Sequence, residues 1–352
     1  MNRQIVIFTE GHTNPHTAKT SICMIRYRRP EVLALLDSTQ AGRTTQELLG
    51  VGGDLPVIAS LAEVPAADTL LLGIAPPGGK IPVAWRAVIL QAIERGWTIW
   101  SGLHDFLTED EEFVAAAQRH GSQLIDVRRN QEKQIARRLG LRNDCLRIHT
   151  VGHDCSVGKM VTSVELTQAL QRRGIDSKFI ATGQTGIMVE GDGLPLDCVV
   201  ADFVAGAAEK MVLAQQHHEV LVIEGQGSLI HPSYSGVTLS LLHGCAPHGL
   251  IYVYEMGRTV VTGVNHVQIP SHRQLLGLYE ALSNANFTCR ILGIAINSRR
   301  VTAEAAAEER ERVRGEFGLP VCDVIRDGPE ELVEAIVKFR DHGEWRQWSC
   351  SP

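Results

Sequence analysis

No Cys-x-x-Cys pair occurs in the 352-residue sequence, and none of its eight cysteines falls into a Cys/His cluster at zinc-ligand spacing. The expectation is free thiols in a reducing cytoplasm rather than a disulfide framework or a structural zinc site. No apolar run approaches the roughly 20 residues that span a bilayer, so no membrane role is expected. Met1-Asn2-Arg3-Gln4 runs straight into an apolar segment without a secretory pattern. A net charge of −6 with no basic block argues against nucleic acid as the main partner. Aromatics are only 5%, so stacking surfaces are scarce. There is no Gly-x-Gly-x-x-Gly, and an NAD role therefore has no fingerprint. Internal repeats and low-complexity segments are also missing. What remains is an ordinary soluble composition, 44% hydrophobic and 21% charged, on a chain long enough for two domains with real cores.

Short apolar runs alternate with helix-like stretches over the first third. Strands are expected at Ile5–Phe8, Val32–Asp37, Val57-Ile58, Thr69–Ala75, Trp97–Trp100 and Leu124–Val127, with helices near Thr44–Leu49, Val83–Arg95 and Glu109–His120. Uninterrupted apolar strands separated by helices predict an α/β fold, with a parallel sheet covered on both faces. Ligands of such sheets sit beyond the carboxyl ends of the strands. Asp37 and the Pro76–Lys80 loop become neighbours there, although a strand-ending Asp is as readily a turn cap. The loop Thr9–Lys19, with Glu10, His12, His16 and Lys19, is either solvated or a binding loop. Residues 128–145, carrying Arg128, Arg129, Lys133, Arg137, Arg138 and Arg142, read as a connecting helix between the domains. The expected division is 1–127, 128–145, 146–343 and a tail 344–352, where Trp345 and Trp348 suggest docking.

The second domain opens on Gly152-His153-Asp154-Cys155-Ser156-Val157-Gly158-Lys159-Met160, between an apolar strand and a helix-like segment from Val161 to Arg172. Strand, glycine loop with lysine, then helix is how proteins cradle phosphates, with backbone N–H groups and a point charge facing the anion. Five residues rather than four separate the glycines, and Met160 stands where Ser or Thr would ligand Mg²⁺. Downstream, Thr182-Gly183-Gln184-Thr185-Gly186-Ile187 forms a turn of small and polar residues, suited to close ligand approach. Asp202 either caps the helix Ala205–Gln216 or ligands a metal. Val220–Ile223 is an apolar strand ending on Glu224-Gly225-Gln226-Gly227-Ser228, where the carboxylate can hold Mg²⁺ or its water and the glycines give access to substrate. His231, Pro232 and Ser233 lie on the same rim. A further strand, within Arg290–Arg299, ends in Asn297, which pairs with a base or caps a turn.

The Gly152–Lys159 loop, the Glu224-Gly225-Gln226-Gly227 turn and Ile294-Ala295-Ile296-Asn297 resemble the corresponding motifs of dethiobiotin synthetases and the related cobyrinic acid amidases. That resemblance covers only the second domain. It implies a P-loop fold with Lys159 on phosphates, Glu224 near Mg²⁺ and Asn297 near the base. The whole chain resembles a bacterial family of formerly unknown function, with an N-terminal Rossmann-like domain and a C-terminal P-loop domain. Gly152–Met160, Ala181-Thr182-Gly183-Gln184-Thr185-Gly186, Asp202-Phe203-Val204-Ala205-Gly206 and Glu224-Gly225-Gln226-Gly227-Ser228 carry it. The resemblance implies D-glutamate N-acetylation from acetyl-CoA in D-amino acid catabolism. If the loop holds CoA phosphates rather than a Mg–nucleotide, the hydroxyl absent at Met160 becomes dispensable.

Three functions follow as expectations. The first is an N-acetyltransferase, with Lys159, Glu224 and His231 as candidate catalytic groups and Asp202 as a further candidate base. Gln184, Thr185, Gly186, Gly225 and Gly227 would meet the substrate. Gly152, Asp154, Cys155, Ser156, Val157, Gly158, Lys159, Met160 and Asn297 would hold acetyl-CoA, or ATP with Mg²⁺. The second is an ATP- and Mg²⁺-dependent ligase that activates a carboxylate, with Asp202 and Glu224 on the metal. The third is a nucleotide-sensing regulatory protein. The expected partner is a small-molecule substrate, in a homo-oligomer.

Overall fold

The computed structural model describes residues 3–74 and 79–347; the expected roles of Pro76-Pro77-Gly78 and of Trp348 fall outside them. The chain divides into two compact units, Met1–Arg129 with Ile187–Gly191, and Asn130–Gly186 with Asp192–Pro352.

Among the described residues, the first unit holds β1 (Ile5–Phe8), β2 (Val32–Leu36), β3 (Val57–Ile58), β4 (Thr69–Leu72), β5 (Thr98–Ser101) and β6 (Leu124–Asp126). They form one sheet in the order β3-β2-β1-β4-β5-β6, every pair parallel. This is the doubly wound order, in which the chain reverses direction between β1 and β4. Every residue of β1 and β4 is buried, which is why those strands read as continuous apolar runs. The helices are α1 (Lys19–Tyr27), α2 (Thr45–Leu49), α3 (Arg86–Glu94) and α4 (Glu111–His120). α1 escapes sequence reading because Lys-Thr-Ser-Ile-Cys-Met-Ile-Arg-Tyr is rich in β-branched and hydroxyl residues of modest helix propensity. Burial of Met24 and Ile25 and the Ser21 Oγ bond to Gly73 O (2.8 Å) hold it instead.

Asp37 is fully buried and caps a short turn, accepting from Thr39 N at 3.0 Å and from the Thr13 and Thr39 hydroxyls. Burial pushes its pKa up, but those bonds outweigh it and hold the carboxyl below its ordinary value. The turn-cap reading therefore accounts for this acid. Glu10 is spent on Ser38 N (2.8 Å), and Asn14 Oδ1 accepts from His16 N and Thr17 N, so part of the Thr9–Lys19 loop is tied to its own neighbourhood.

The second unit is built on β7 (Leu146–Gly152), β8 (Ser177–Ile180), β9 (Val220–Ile223), β10 (Gly249–Glu255), β13 (Arg290–Asn297) and β14 (Val321–Cys322), with a small hairpin of β11 (Val260–Val261) and β12 (Val264–Gln268). The main sheet runs β14-β13-β10-β7-β9-β8, again all parallel. Its helices are α5 (Lys159–Arg172), α6 (Gln184–Glu190), α7 (Val204–Gln215), α8 (Ser235–Cys245), α9 (His272–Asn284), α10 (Ala303–Phe317) and α11 (Glu330–His342). α6, whose last residues Ile187–Glu190 fall in the first unit, begins where an open turn was expected. α8 has no strong helical pattern of its own, and Gly244 lets it approach α7 closely: a Cβ there would lie 2.2 Å from Ala205 O.

The expected connecting helix at 128–145 is not formed, and that stretch is irregular. Its backbone is satisfied from outside. The buried Glu209 carboxylate accepts from Arg137 N and Arg138 N, and Gln216 Oε1 accepts from Arg142 N at 2.8 Å. The segment is also laid so closely along α7 that a Cβ at Gly206 would meet Gln134 O at 1.8 Å. A helix would satisfy these backbone groups internally, whereas an irregular chain needs outside partners for them.

The described part of the tail docks. Trp345 is 1% exposed, donates Nε1–H to Arg340 O at 3.1 Å and lies 4.8 Å from the His248 ring. Trp345→Ala is expected to cost about 3–5 kcal/mol of unfolding free energy, read from the urea midpoint, because it empties a filled core position.

Candidate phosphate-loop site

β7 lies between β9 and β10, so the chain leaves it toward one side of the sheet and later returns to the other. The loop after β7 therefore occupies the point where the strand order reverses, the standard ligand crevice of an open parallel sheet. Gly152 ends β7 where a Cβ would stand 2.8 Å from Val253 O. Ser156 (φ 57°) and Gly158 (φ 114°) adopt left-handed backbone, after which α5 starts at Lys159 with its first-turn N–H groups unspent. Three loop carbonyls are tied back: Gly152 O by the Tyr279 hydroxyl (2.9 Å), His153 O by Ser228 Oγ (3.0 Å) and Val157 O by Asn297 Nδ2 (2.8 Å). With its carbonyls spoken for and a helix N-terminus behind it, the loop fits an anion.

Lys159 is 5% exposed, and its ammonium donates to two carbonyls, Asp154 O (2.7 Å) and Gly227 O (2.8 Å). Burial pulls its pKa down to about 8 against the opposing pull of the Cys155, Asp154 and Glu224 charges. Neither hydrogen-bond partner is a carboxylate, so the positive charge stays available to a ligand.

Glu224 follows β9 directly and is also 5% exposed. Burial raises its pKa to about 7, opposed by hydrogen bonds from Thr182 N (2.8 Å) and Gly183 N (3.1 Å) to Oε2. The glycines around it are sterically required: a Cβ at Gly186 would lie 2.3 Å from Glu224 Oε2, and one at Gly225 would lie 1.8 Å from Thr150 O. Thr150 binds β7, α5 and β9 together, accepting from Gly225 N (3.0 Å) and sharing a hydrogen bond with Ser163 Oγ (3.0 Å). A carboxyl that titrates near neutrality beside a buried ammonium has the character of a general base or acid.

Asp154 is fully buried and accepts from Cys155 N (2.7 Å), Thr262 N (2.8 Å) and Arg258 Nη1 (2.9 Å). Burial raises its pKa, but these bonds prevail and keep it below the ordinary carboxylate value. Arg258 also donates to Cys155 O and to the buried Glu255, which is paired with Arg299 (2.6 Å) and Arg300 (3.3 Å) as well. One ion-pair network thus joins the loop to the ends of β10 and β13. Sequence reading missed Glu255, Arg258, Arg299 and Arg300, although the signal was present. Glu255-Met256-Gly257-Arg258 follows an apolar strand just as Glu224-Gly225 does.

The other expected residues separate. Asn297 braces the loop through Val157 O and accepts from Arg299 N (3.3 Å), so its amide acts on the loop itself. His231 is buried with both ring nitrogens engaged, Nε2 with Thr262 O (3.1 Å) and Nδ1 with Ser233 N (3.1 Å), which removes it as a free base. Gln184, Thr185 and Gly186 open α6 beside Glu224. Asp202 is exposed on the turn Ala201–Phe203 and does not cap α7, whose N-cap is Phe203 without a side-chain bond. Among the described residues, Asp154, Cys155 and His231 bring three candidate ligand atoms within 4.8 Å of one another. That cluster is a poor metal site, because its carboxylate is held by Arg258 and Thr262 and its imidazole by Thr262 and Ser233. The donors present fit a phosphate-bearing ligand; they do not fit the usual Mg²⁺ set, since Met160 supplies no oxygen.

Comparison with known proteins adds the following. A family model described as domain of unknown function DUF1611, P-loop domain, matches residues 131–333, and its Rossmann-like N-terminal companion matches 38–130. The chain is 42% identical over 277 residues to a D-glutamate N-acetyltransferase of Tritonibacter scottomollicae, covering 78% of this chain and 83% of that protein. It is 41% identical over 268 residues to a D-glutamate N-acetyltransferase of a Pseudoalteromonas species, covering 76% and 80%. A crystal structure of a DUF1611 family protein from Anabaena variabilis superposes with a TM-score of 0.90 at 36% identity, covering 96% of this chain and 100% of that one.

Proposed function

The chain belongs to the DUF1611 family of paired Rossmann-like and P-loop domains, and from that membership we propose that it transfers an acetyl group from acetyl-CoA to the amine of D-glutamate. The two relatives named D-glutamate N-acetyltransferase support the choice of substrate. On the chain itself, the observation that carries the reading is Glu224: a buried carboxyl at about 7, two backbone N–H groups on one oxygen, beside a phosphate loop without a magnesium hydroxyl.

In this reading, Lys159 and the N–H groups at the start of α5 hold the phosphates of the acyl donor. Glu224 takes a proton from the acceptor ammonium, which frees the nitrogen lone pair. A C–N bond to the acetyl carbonyl then replaces the C–S bond, and the CoA thiolate leaves and is protonated. Backbone N–H groups near Gly227, together with Gln184 and Thr185, would hold the acceptor carboxylate or the developing oxyanion. Glu224 suits this task because its pKa lies near working pH, where enough base is present and proton transfer is still favourable.

Acetyl-CoA carrying a labelled acetyl group, incubated with D-glutamate and no ATP, is expected to yield labelled N-acetyl-D-glutamate. No product with any acidic D-amino acid would overturn the reading. ADP release with Mg²⁺, ATP and a carboxylic acid would replace it with the ligase.

A further inference from the structure

The proposed reaction fixes the direction in which the acyl donor must lie. β7 stands between β9 and β10, and the strands of this sheet are all parallel, so their carboxyl ends share one edge with the phosphate loop. Glu224 follows β9, on one side of the loop. Coenzyme A carries its diphosphate between the pantetheine thioester and the ribose 3′-phosphate. With the diphosphate on the loop and the thioester at Glu224, the 3′-phosphate falls on the opposite side, over the ends of β10, β13 and β14.

That side is where the arginines gather. Arg258 follows β10, Arg299 and Arg300 follow β13, and Arg326 follows β14. Asn297 ties the end of β13 to the loop, its Nδ2 donating to Val157 O at 2.8 Å and its Oδ1 accepting from Arg299 N. The acids here do not balance the cations. Arg258, Arg299 and Arg300 share two carboxylates, Asp154 and Glu255, which leaves one positive charge over. Arg258 is nearly buried and holds both acids, and Arg299 closes on Glu255 Oε1 at 2.6 Å. Arg300 reaches that same oxygen only through Nε, at 3.3 Å, and its side chain is 52% exposed. The surplus charge therefore sits outermost, on Arg300. Arg326, also exposed, spends Nη2 on two carbonyls, Ser298 O and Val301 O (3.1 Å each). No carboxylate among the described residues is in ion-pair contact with it, and its sequence neighbour Asp327 is taken by Arg310. Residues 298–301 form one turn, closed by Val301 N on Ser298 O, so Arg300 and Arg326 border the same few residues.

With acetyl-CoA as the donor, on which this assignment rests, we propose that Arg300 and Arg326 bind its 3′-phosphate and so select coenzyme A over carriers that lack this phosphate. A guanidinium fork matches two phosphate oxygens at once, whereas Lys159 and the start of α5 act on the diphosphate. A ligand without the 3′-phosphate forfeits these charge-assisted bonds and leaves the surplus charge unanswered.

Calorimetric titration of the full chain with CoA and with 3′-dephospho-CoA tests this without turnover. The unaltered chain is expected to bind CoA about tenfold or more tightly than 3′-dephospho-CoA. Combining Arg300→Ala with Arg326→Ala should bring CoA down to the affinity of 3′-dephospho-CoA, whose own binding should stay as it was. Arg300→Ala alone removes an exposed side chain and should by itself lower the preference, so the test stays readable if the double variant does not fold. Equal affinity of the unaltered chain for the two ligands overturns the proposal while leaving acetyl-CoA as the donor. So does a folded variant, double or single, that keeps the full preference or weakens both ligands alike. If neither ligand binds, the choice of acetyl-CoA as donor fails and the proposal falls with it.

Discussion

Replacing Lys159 with alanine is expected to lower kcat/KM about 1,000-fold, equivalent to about 4 kcal/mol. The magnitude follows from the setting of the charge. The ammonium is desolvated before any ligand arrives, as its pKa of about 8 records, and it is hydrogen-bonded to two carbonyls rather than neutralised by an acid. A charge preorganised in this way acts on phosphate oxygens with little screening. Titration calorimetry with CoA should show binding lost in Lys159→Ala, while circular dichroism reports whether the fold survives loss of the Asp154–Gly227 tie. Affinity for CoA equal to that of the unaltered chain would show that the loop does not carry the donor. The charge also predicts an alkaline limb: kcat/KM should fall as pH rises through about 8, where the free lysine deprotonates.

The Glu224→Gln variant should lose about 100- to 10,000-fold in kcat, the range of a general base, with a smaller change in the acceptor KM. In the unaltered protein, kcat/KM should rise as pH rises through about 7, where the carboxyl ionises, and this acid limb should vanish in the variant. Stability should move in the opposite direction. The folded-state pKa lies above the ordinary 4.5, so between about 4.5 and 7 the folded chain binds more protons than the unfolded chain. The stabilisation from a neutral Glu224 is complete below about 4.5 and is lost as pH rises through about 7. Glutamine stays neutral throughout, so the difference in melting temperature between variant and parent should shift in favour of the variant from pH 5 to pH 8. An unchanged kcat, with the acid limb still present, would assign proton transfer to another group.

Local pattern is enough for those features whose physics is local. The buried strands Ile5–Phe8, Thr69–Leu72 and Val220–Ile223 are legible because a strand covered on both faces must be apolar throughout. The phosphate loop is legible because Gly158 needs left-handed backbone and Lys159 must open a helix. Glu224-Gly225 is legible because the glycine has no room for a Cβ against Thr150 O. The tail's tryptophan is legible because a large apolar ring seeks burial.

Features that depend on a distant partner are decided only in the folded chain. Residues 128–145 have helix-compatible composition, yet Glu209 and Gln216, some 70 positions away, supply the hydrogen bonds that keep them irregular. α1 has weak propensity and is held by its packing. His231 looks like a base until Thr262 and Ser233 occupy both of its nitrogens, and Asn297 looks like a ligand contact until it binds Val157 O. Asp154 and Arg258 are 104 residues apart, and no local pattern announces their pairing. Sequence by itself determined the α/β class, the phosphate loop and its lysine. Tertiary structure alone decided which acid stays buried and near neutrality, and which charges are already spent. Desolvation and pairing depend on what the folded chain places around a group, not on its neighbours in sequence.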